Sequence, residues 1–267
     1  MELAGRTALL TGATGGLGRA IALALAERGA SVGLSARKPE ALEALAAELP
    51  GDGHRVLPTD LAEPGAAEKL AAEAGDVDVL VANAGLPGSG LLTEFSPEEV
   101  ARRLRVNLES PMLMARALYP AMVDRGEGHL VFIASLSGKA ASPRASIYSA
   151  TKFGLRGFAL GLRTDLGPKG VGVSLVSPGF IRDAGMFADS GAKPPPGLGT
   201  ASPRQVGDAV LKAIEHDKVE LTVAPLQQRA LAHLGLATPS ISVRAQSGST
   251  GQKAAKAVAD GHPVDKR

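Results

Sequence analysis

A chain of 267 residues with 29 basic and 27 acidic side chains is long enough for one large α/β domain. Its net charge of +2 excludes a protein that tracks nucleic-acid phosphates by bulk charge, and the absence of cysteine excludes disulfides, thiolate nucleophiles and cysteine metal sites. No apolar stretch approaches the roughly 20 residues that span a bilayer, and Met1 leads into a polar segment without a cleavable apolar core, so a soluble cytoplasmic protein with no integral membrane association is expected.

Short apolar runs alternate with amphipathic stretches along most of the chain. Arg6 to Thr11 reads as a buried strand, Gly16 to Gly29 as a helix, Ser31 to Ser35 as a second strand, and Pro39 to Leu49 as a helix with proline in its first turn. His54 to Leu57 reads as a third strand, Glu63 to Ala74 as a helix, and Val77 to Val81 as a fourth strand. A long helical region follows from Pro97 to Arg125, then a strand (His129 to Ala134), a helix (Ser146 to Leu166) and a strand (Val171 to Val176). Phe180 to Ala201, with several glycines and three successive prolines, reads as an irregular substrate loop. A helix (Pro203 to Glu215) and a strand (Val219 to Val223) close the pattern.

Strands separated by helix-length segments imply right-handed crossovers and a parallel sheet. The strands are apolar without alternation, as when helices cover both faces. The expected fold is therefore α/β, a single Rossmann-type doubly wound sheet of about seven strands over residues 1–240, with its ligand crevice beyond the carboxyl ends of the strands. Pro225 to Leu236 reads as an amphipathic helix, expected to pack on this domain, with a partner subunit or a membrane surface as the alternatives. Residues 241–267 are polar, contain Gly and Ser, and are mildly basic; apart from a short helix near Lys253 to Ala259, this tail is expected to be poorly ordered.

Thr11-Gly12-Ala13-Thr14-Gly15-Gly16-Leu17-Gly18 follows the first strand and opens a helix. Glycines let the backbone approach a pyrophosphate, and the helix N-terminus offers free N–H donors at the positive end of its dipole. At the end of the second strand, where a carboxylate would accept from the adenosine ribose, stands Ala36, followed by Arg37 and Lys38. Two cations without a carboxylate suit a ribose 2′-phosphate, so NADP is expected over NAD.

Tyr148 and Lys152 are four residues apart, on one face of a helix. A neighbouring ammonium is expected to lower the phenol pKa from about 10 toward the range where proton transfer is efficient. Ser135 ends the fifth strand at the crevice edge, where its hydroxyl can hold a substrate carbonyl oxygen.

The T-G-x-x-x-G-x-G spacing, Asn83-Ala84-Gly85, Asn107, Ser135, Tyr148-x-x-x-Lys152 and Pro178-Gly179 occur in one order that resembles the short-chain dehydrogenase/reductase family, over roughly Arg6 to Gly179. The resemblance implies Asn107, Ser135, Tyr148 and Lys152 as catalytic residues, with Asn107 holding a proton-relay water. It implies a cofactor surface of Gly12, Thr14, Gly16, Leu17, Gly18, Arg37, Asp60, Leu61, Asn83, Ala84, Gly85, Tyr148, Lys152, Pro178, Gly179 and Ile181, no metal, a ketone or aldehyde and its alcohol as substrate pair, and a homodimer or homotetramer. Asp183 departs from the family pattern at a place where many members carry Thr or Ser against the nicotinamide; its carboxylate can still accept from the carboxamide –NH₂ but cannot donate, or it can pair with Arg182 instead. Leu91, Leu92, Phe95, Met186 and Phe187 suggest an apolar substrate pocket. The alternative is a catalytically silent nucleotide-binding regulator on the same fold; a zinc dehydrogenase is disfavoured, for the chain has no cysteine and its five histidines are scattered without ligand spacing.

Overall fold

The structure, a computed structural model, describes residues 1–262; the last five residues of the expected tail lie outside the described residues. Strands β1 (Thr7–Thr11), β2 (Ser31–Ala36), β3 (Arg55–Pro58), β4 (Val79–Ala82), β5 (Gly128–Ile133), β6 (Val171–Pro178) and β7 (Glu220–Val223) form one sheet in the order β3-β2-β1-β4-β5-β6-β7. Every pairing is parallel. Helices α1 (Gly16–Glu27), α2 (Pro39–Glu48), α3 (Ala66–Ala74), α4 (Pro97–Leu104), α5 (Ser110–Asp124), α6 (Ser146–Leu166), α7 (Met186–Asp189) and α8 (Pro203–Glu215) accompany the strands, and α9 (Leu226–Ala237), α10 (Pro239–Gln246) and α11 (Ser249–Gly261) follow β7.

The unbroken apolar strands have a simple cause. Side chains alternate across a strand, so Leu10, Val79, Val81, Val131 and Ile133 enter the layer with Ile21, Leu25, Val206 and Val210, whereas Leu9, Leu80, Leu130 and Phe132 enter the opposite layer with Met114, Leu118 and Leu155. Both faces are core. Strand order reverses between β1 and β4, the place where a doubly wound sheet opens a crevice.

Two segments differ from expectation. The helical region from Pro97 is interrupted by a π-helical turn, Arg105–Glu109, centred on Asn107, whose side chain is drawn to the backbone of Leu86; such single-turn bulges mark functional positions often. The loop 180–201 contains the one-turn helix α7 and is closed at its ends by a bridge between Ile181 and Ala201. The chain beyond Thr238 contains α10 and α11, the latter including the short helix expected near Lys253 to Ala259; Gly251, Ala254, Ala255, Val258 and His262 line the central cleft, at the spacing of one helix face.

His129, 3% exposed on β5, places Nε2 2.8 Å from Ser174 Oγ, whose hydroxyl donates to Lys218 O. Ser174 Oγ therefore accepts, and His129 carries its proton on Nε2. Burial lowers its pKa from 6.5 to about 4. The unfolded chain thus binds more protons between pH 6.5 and 4, and stability is lost as pH falls through that window, by about 3 kcal/mol at full extent. Denaturant titrations at pH 7 and pH 4.5 should show this slope, and it should flatten in His129→Gln; an unchanged slope in the variant would assign it to other groups.

Candidate active site

The crevice starts at the turn between β1 and α1. Gly12 has φ +64°, and a Cβ there would lie 2.9 Å from Ala84 Cα. A Cβ on Gly18 would lie 2.1 Å from Gly12 O. Helix α1 begins at Gly15 with no side-chain cap, so its first amides stay free for an anion. Asn83 and Thr11 hold this turn in place. Asn83 Nδ2 donates to Thr11 O (3.0 Å) and Gly12 O (3.2 Å), and Thr11 Oγ1 accepts from the amides of Asn83 and Ala84, both at 3.1 Å. The ends of β1 and β4 are thereby locked at the reversal of strand order. Thr11 was quoted in the motif without a role; its hydroxyl is half of the lock.

At the far side of the turn, Arg37 and Lys38 are exposed on the cleft rim, and neither makes an ion pair among the described residues. Asp60 Oδ1 accepts from Ala62 N at 2.9 Å, which fixes the chain around Leu61, a buried residue at the cleft wall.

Ser135 stands just past β5 and accepts from Ser137 N at 3.1 Å. Tyr148 and Lys152 project from one face of α6. The Lys152 ammonium, 3% exposed, donates to Ile133 O at 2.9 Å and sits 5.6 Å from the Tyr148 ring centroid. Tyr148 differs from expectation. Burial raises its pKa, opposed by a hydrogen bond with Ser135, and burial lowers Lys152 to about 8. Desolvation is the largest influence on both groups. At neutral pH the phenol keeps its proton.

Asn107, 1% exposed, accepts from Leu86 N (2.7 Å) and donates to Leu86 O (2.9 Å) and Thr151 Oγ1 (3.4 Å). A Cβ on Gly85 would be 3.5 Å from Asn107 Oδ1 and 3.9 Å from Lys152 Nζ, so both side chains approach Gly85, Lys152 from within the cleft lining and Asn107 from behind it. Asp183, at φ +66°, points to solvent with Oδ2 3.4 Å from Arg182 Nε.

The sequence pattern of the family described as short chain dehydrogenase matches residues 6–194. The chain belongs to this family. It is 36% identical over 248 residues to the Ketoacyl reductase HetN of Nostoc sp. (strain PCC 7120 / SAG 25.82 / UTEX 2576), covering 90% of this chain and 86% of the relative. A short-chain dehydrogenase from Sphingobium yanoikuyae in complex with NADPH superposes with a TM-score of 0.76 at 28% identity, covering 91% of this chain and 94% of that one. A 3-oxoacyl (acyl-carrier-protein) reductase from Agrobacterium tumefaciens C58 with NADP bound superposes with a TM-score of 0.75 at 29% identity, covering 82% and 94%.

In this short-chain dehydrogenase/reductase one cleft of about 1060 Å³ is lined by every expected site residue except Asn107. The expected apolar wall is only half realised. Met186 and Phe187 line the cleft, but Leu91 and Leu92 are exposed outside it. Phe95 is covered by the Arg103 guanidinium at 4.5 Å, itself buried and donating to Pro87 O and Glu99 O. Further wall comes from the chain between Ser135 and α6, including Ala140, Ser142 and Pro143, and from α9 to α11, where the sequence suggested helices at Pro225 to Leu236 and near Lys253 to Ala259 but no place in the cleft. Lys139 was also missed: it is 2% exposed, donates to Thr222 Oγ1 (2.9 Å) and pairs with Glu220 (3.0 Å), tying the turn after Ser135 to β7. No group of His, Asp and Glu among the described residues could hold a metal ion, and no described helix is long and apolar enough to cross a membrane.

Proposed function

We propose that this enzyme interconverts a ketone or aldehyde and the corresponding alcohol with NADP, using Tyr148 as general acid and base. The observation that carries the reading is the continuity of one cleft from the glycine turn, where no Cβ fits, to Ser135, Tyr148 and Lys152. The turn, the uncapped start of α1 and the rim cations fit a phosphorylated dinucleotide: Gly12 to Gly18 hold its pyrophosphate, Arg37 and Lys38 its 2′-phosphate, and Asp60 with Leu61 border the adenine. Asn83, Ala84 and Gly85 form the floor, and Pro178, Gly179 and Ile181 border the nicotinamide.

The cofactor supplies the hydride chemistry. Ser135 Oγ donates a hydrogen bond to the carbonyl oxygen and stabilises its developing charge. Tyr148 passes its phenolic proton to that oxygen in reduction and takes it back in oxidation. The same group serves both directions, so direction follows the cofactor ratio, and a preference for NADP leans toward reduction. Lys152 binds the nicotinamide ribose and keeps positive charge behind the tyrosine, and Asn107, bonded to the Leu86 backbone, holds the water that links Lys152 to solvent.

Ketones and alcohols screened in parallel with NADPH/NADP and NADH/NAD test this reading; turnover with NADPH supports it, and a clear preference for NADH would refute the assignment to Arg37. Arg37→Ser should weaken NADPH binding about 10- to 100-fold, the worth of one charge-assisted contact, and leave NADH almost unchanged. The assembly in this reading is a dimer or tetramer through the crossover helices, where Met112 on α5 and Phe153 on α6 are exposed. A cysteine-free chain suits the reducing cytoplasm.

A further inference from the structure

We propose that α9 to α11 form an apolar extension of the catalytic cleft, and that it takes an elongated aliphatic substituent of the carbonyl substrate. This rests on the carbonyl-reductase reading for its chemistry but not for its binding test. The charged side chains in the cleft wall all precede α9: Arg37, Lys38 and Asp60 at the cofactor end, Arg102 on α4, Arg144 ahead of α6, Lys152 on α6, and Asp189 and Lys193 in the substrate loop. Among the described residues from 226 to 262, those lining the cleft include no Asp, Glu, Lys or Arg. Leu231, Leu234 and Ile241 line it while remaining 54%, 46% and 56% exposed, so apolar surface is left wet at its mouth, where an aliphatic ligand would cover it. On α11, Gly251, Ala254 and Ala255 present little bulk to the same space.

The extension is anchored to both walls of the catalytic site. Gln228, 4% exposed, accepts from Phe180 N (3.1 Å) and donates to Leu198 O (3.1 Å) and Gly199 O (2.9 Å), so both ends of the substrate loop hang from one side chain of α9. His262 Nε2 lies 2.9 Å from Met186 O and donates to it, fixing α7 to the end of α11. A Cβ on Gly235 would be 2.6 Å from Ala140 Cβ, which sets α9 directly on the chain that follows Ser135. The roof therefore spans the space above Tyr148, and a substituent of a carbonyl held at Ser135 extends beneath it.

A homologous series of 2-alkanones, bound to the NADP-loaded protein and followed by calorimetry, tests the inference, with NADPH-dependent turnover of the same series measured alongside. Affinity should rise severalfold with each added methylene until the space is filled. Ala254→Phe should cut the affinity ratio of long over short ketones at least tenfold; Val258→Ala, which only removes bulk, should move the longest accommodated chain upward and keeps the test decisive if Ala254→Phe does not fold. Affinity flat in chain length, or lost equally for short and long ketones in the variants, would overturn the inference. Length-dependent binding without turnover would uphold the extension and defeat the reductase reading.

Discussion

Replacing Tyr148 by phenylalanine should lower kcat for carbonyl reduction by about 10²- to 10⁴-fold, the contribution of a positioned general acid. The substitution removes one oxygen and keeps the ring that packs 5.6 Å from Lys152 Nζ. Lys152 retains its bond to Ile133 O and the glycine turn is untouched, so NADPH affinity should change by less than about threefold. Ser135 loses its tyrosine partner but keeps the Ser137 amide, which holds its Oγ in place. Stopped-flow turnover with NADPH fluorescence titration separates the two effects. Retention of full turnover would remove Tyr148 from the chemistry. Survival of the biological role after turnover is abolished would instead support the silent regulator.

Gly18→Ala should disrupt the cofactor cradle although it adds a single methyl group. That Cβ would lie 2.1 Å from Gly12 O, 2.8 Å from Ala13 Cα and 2.8 Å from Ala13 O. All three are backbone atoms, so no rotamer change relieves the clash; either the turn opens or α1 shifts. Overpacking of this kind costs about 1–3 kcal/mol or more, a fall of roughly 3–10 °C in Tm for a domain of this size, and NADPH affinity should fall by more than tenfold because the amides that receive the pyrophosphate move. Gly157→Ala is the matching control. It lies within α6 with nothing within 4 Å of its Cβ position, and should stabilise the protein by about 1 kcal/mol. Equal behaviour of the two variants would mean that the close approach at Gly18 is not what holds the turn.

The sheet was legible because its causes are local. A strand with two buried faces must be apolar at every position, and a crossover must be long enough for a helix; Thr7–Thr11 through Glu220–Val223 follow within a few residues of expectation. The glycine turn was legible for the same reason, since backbone freedom is a property of the residue itself. Tyr148 and Lys152 share a helix face by spacing alone.

What lay beyond the sequence depends on environment and on distant partners. The direction of the Tyr148 shift is set by burial, and burial is known only once the α6 face is covered. Leu91, Leu92 and Phe95 looked like pocket residues because they are apolar and lie near the crevice in sequence, yet Phe95 is covered by Arg103 and the leucines face solvent. Asp183 could be read as a cofactor contact or as a partner of Arg182, and the backbone at φ +66° directs it to the arginine. In the C-terminal segment the helix near Lys253 to Ala259 was legible, but not that one face of α11 lines the cleft.

By itself, then, the sequence determined a doubly wound sheet, a glycine turn at the head of α1 and a Tyr148–Lys152 pair on one helix face, because each is written in neighbouring residues through apolar runs, glycine φ freedom and helical spacing. Only the tertiary structure decided which side chains close the cleft around that pair. Gln228 reaching back to Phe180 and Leu198, and α11 folding over the substrate loop, are contacts between residues 30 or more positions apart. Such contacts arise when separate faces find each other in the folded chain, and no local pattern encodes them.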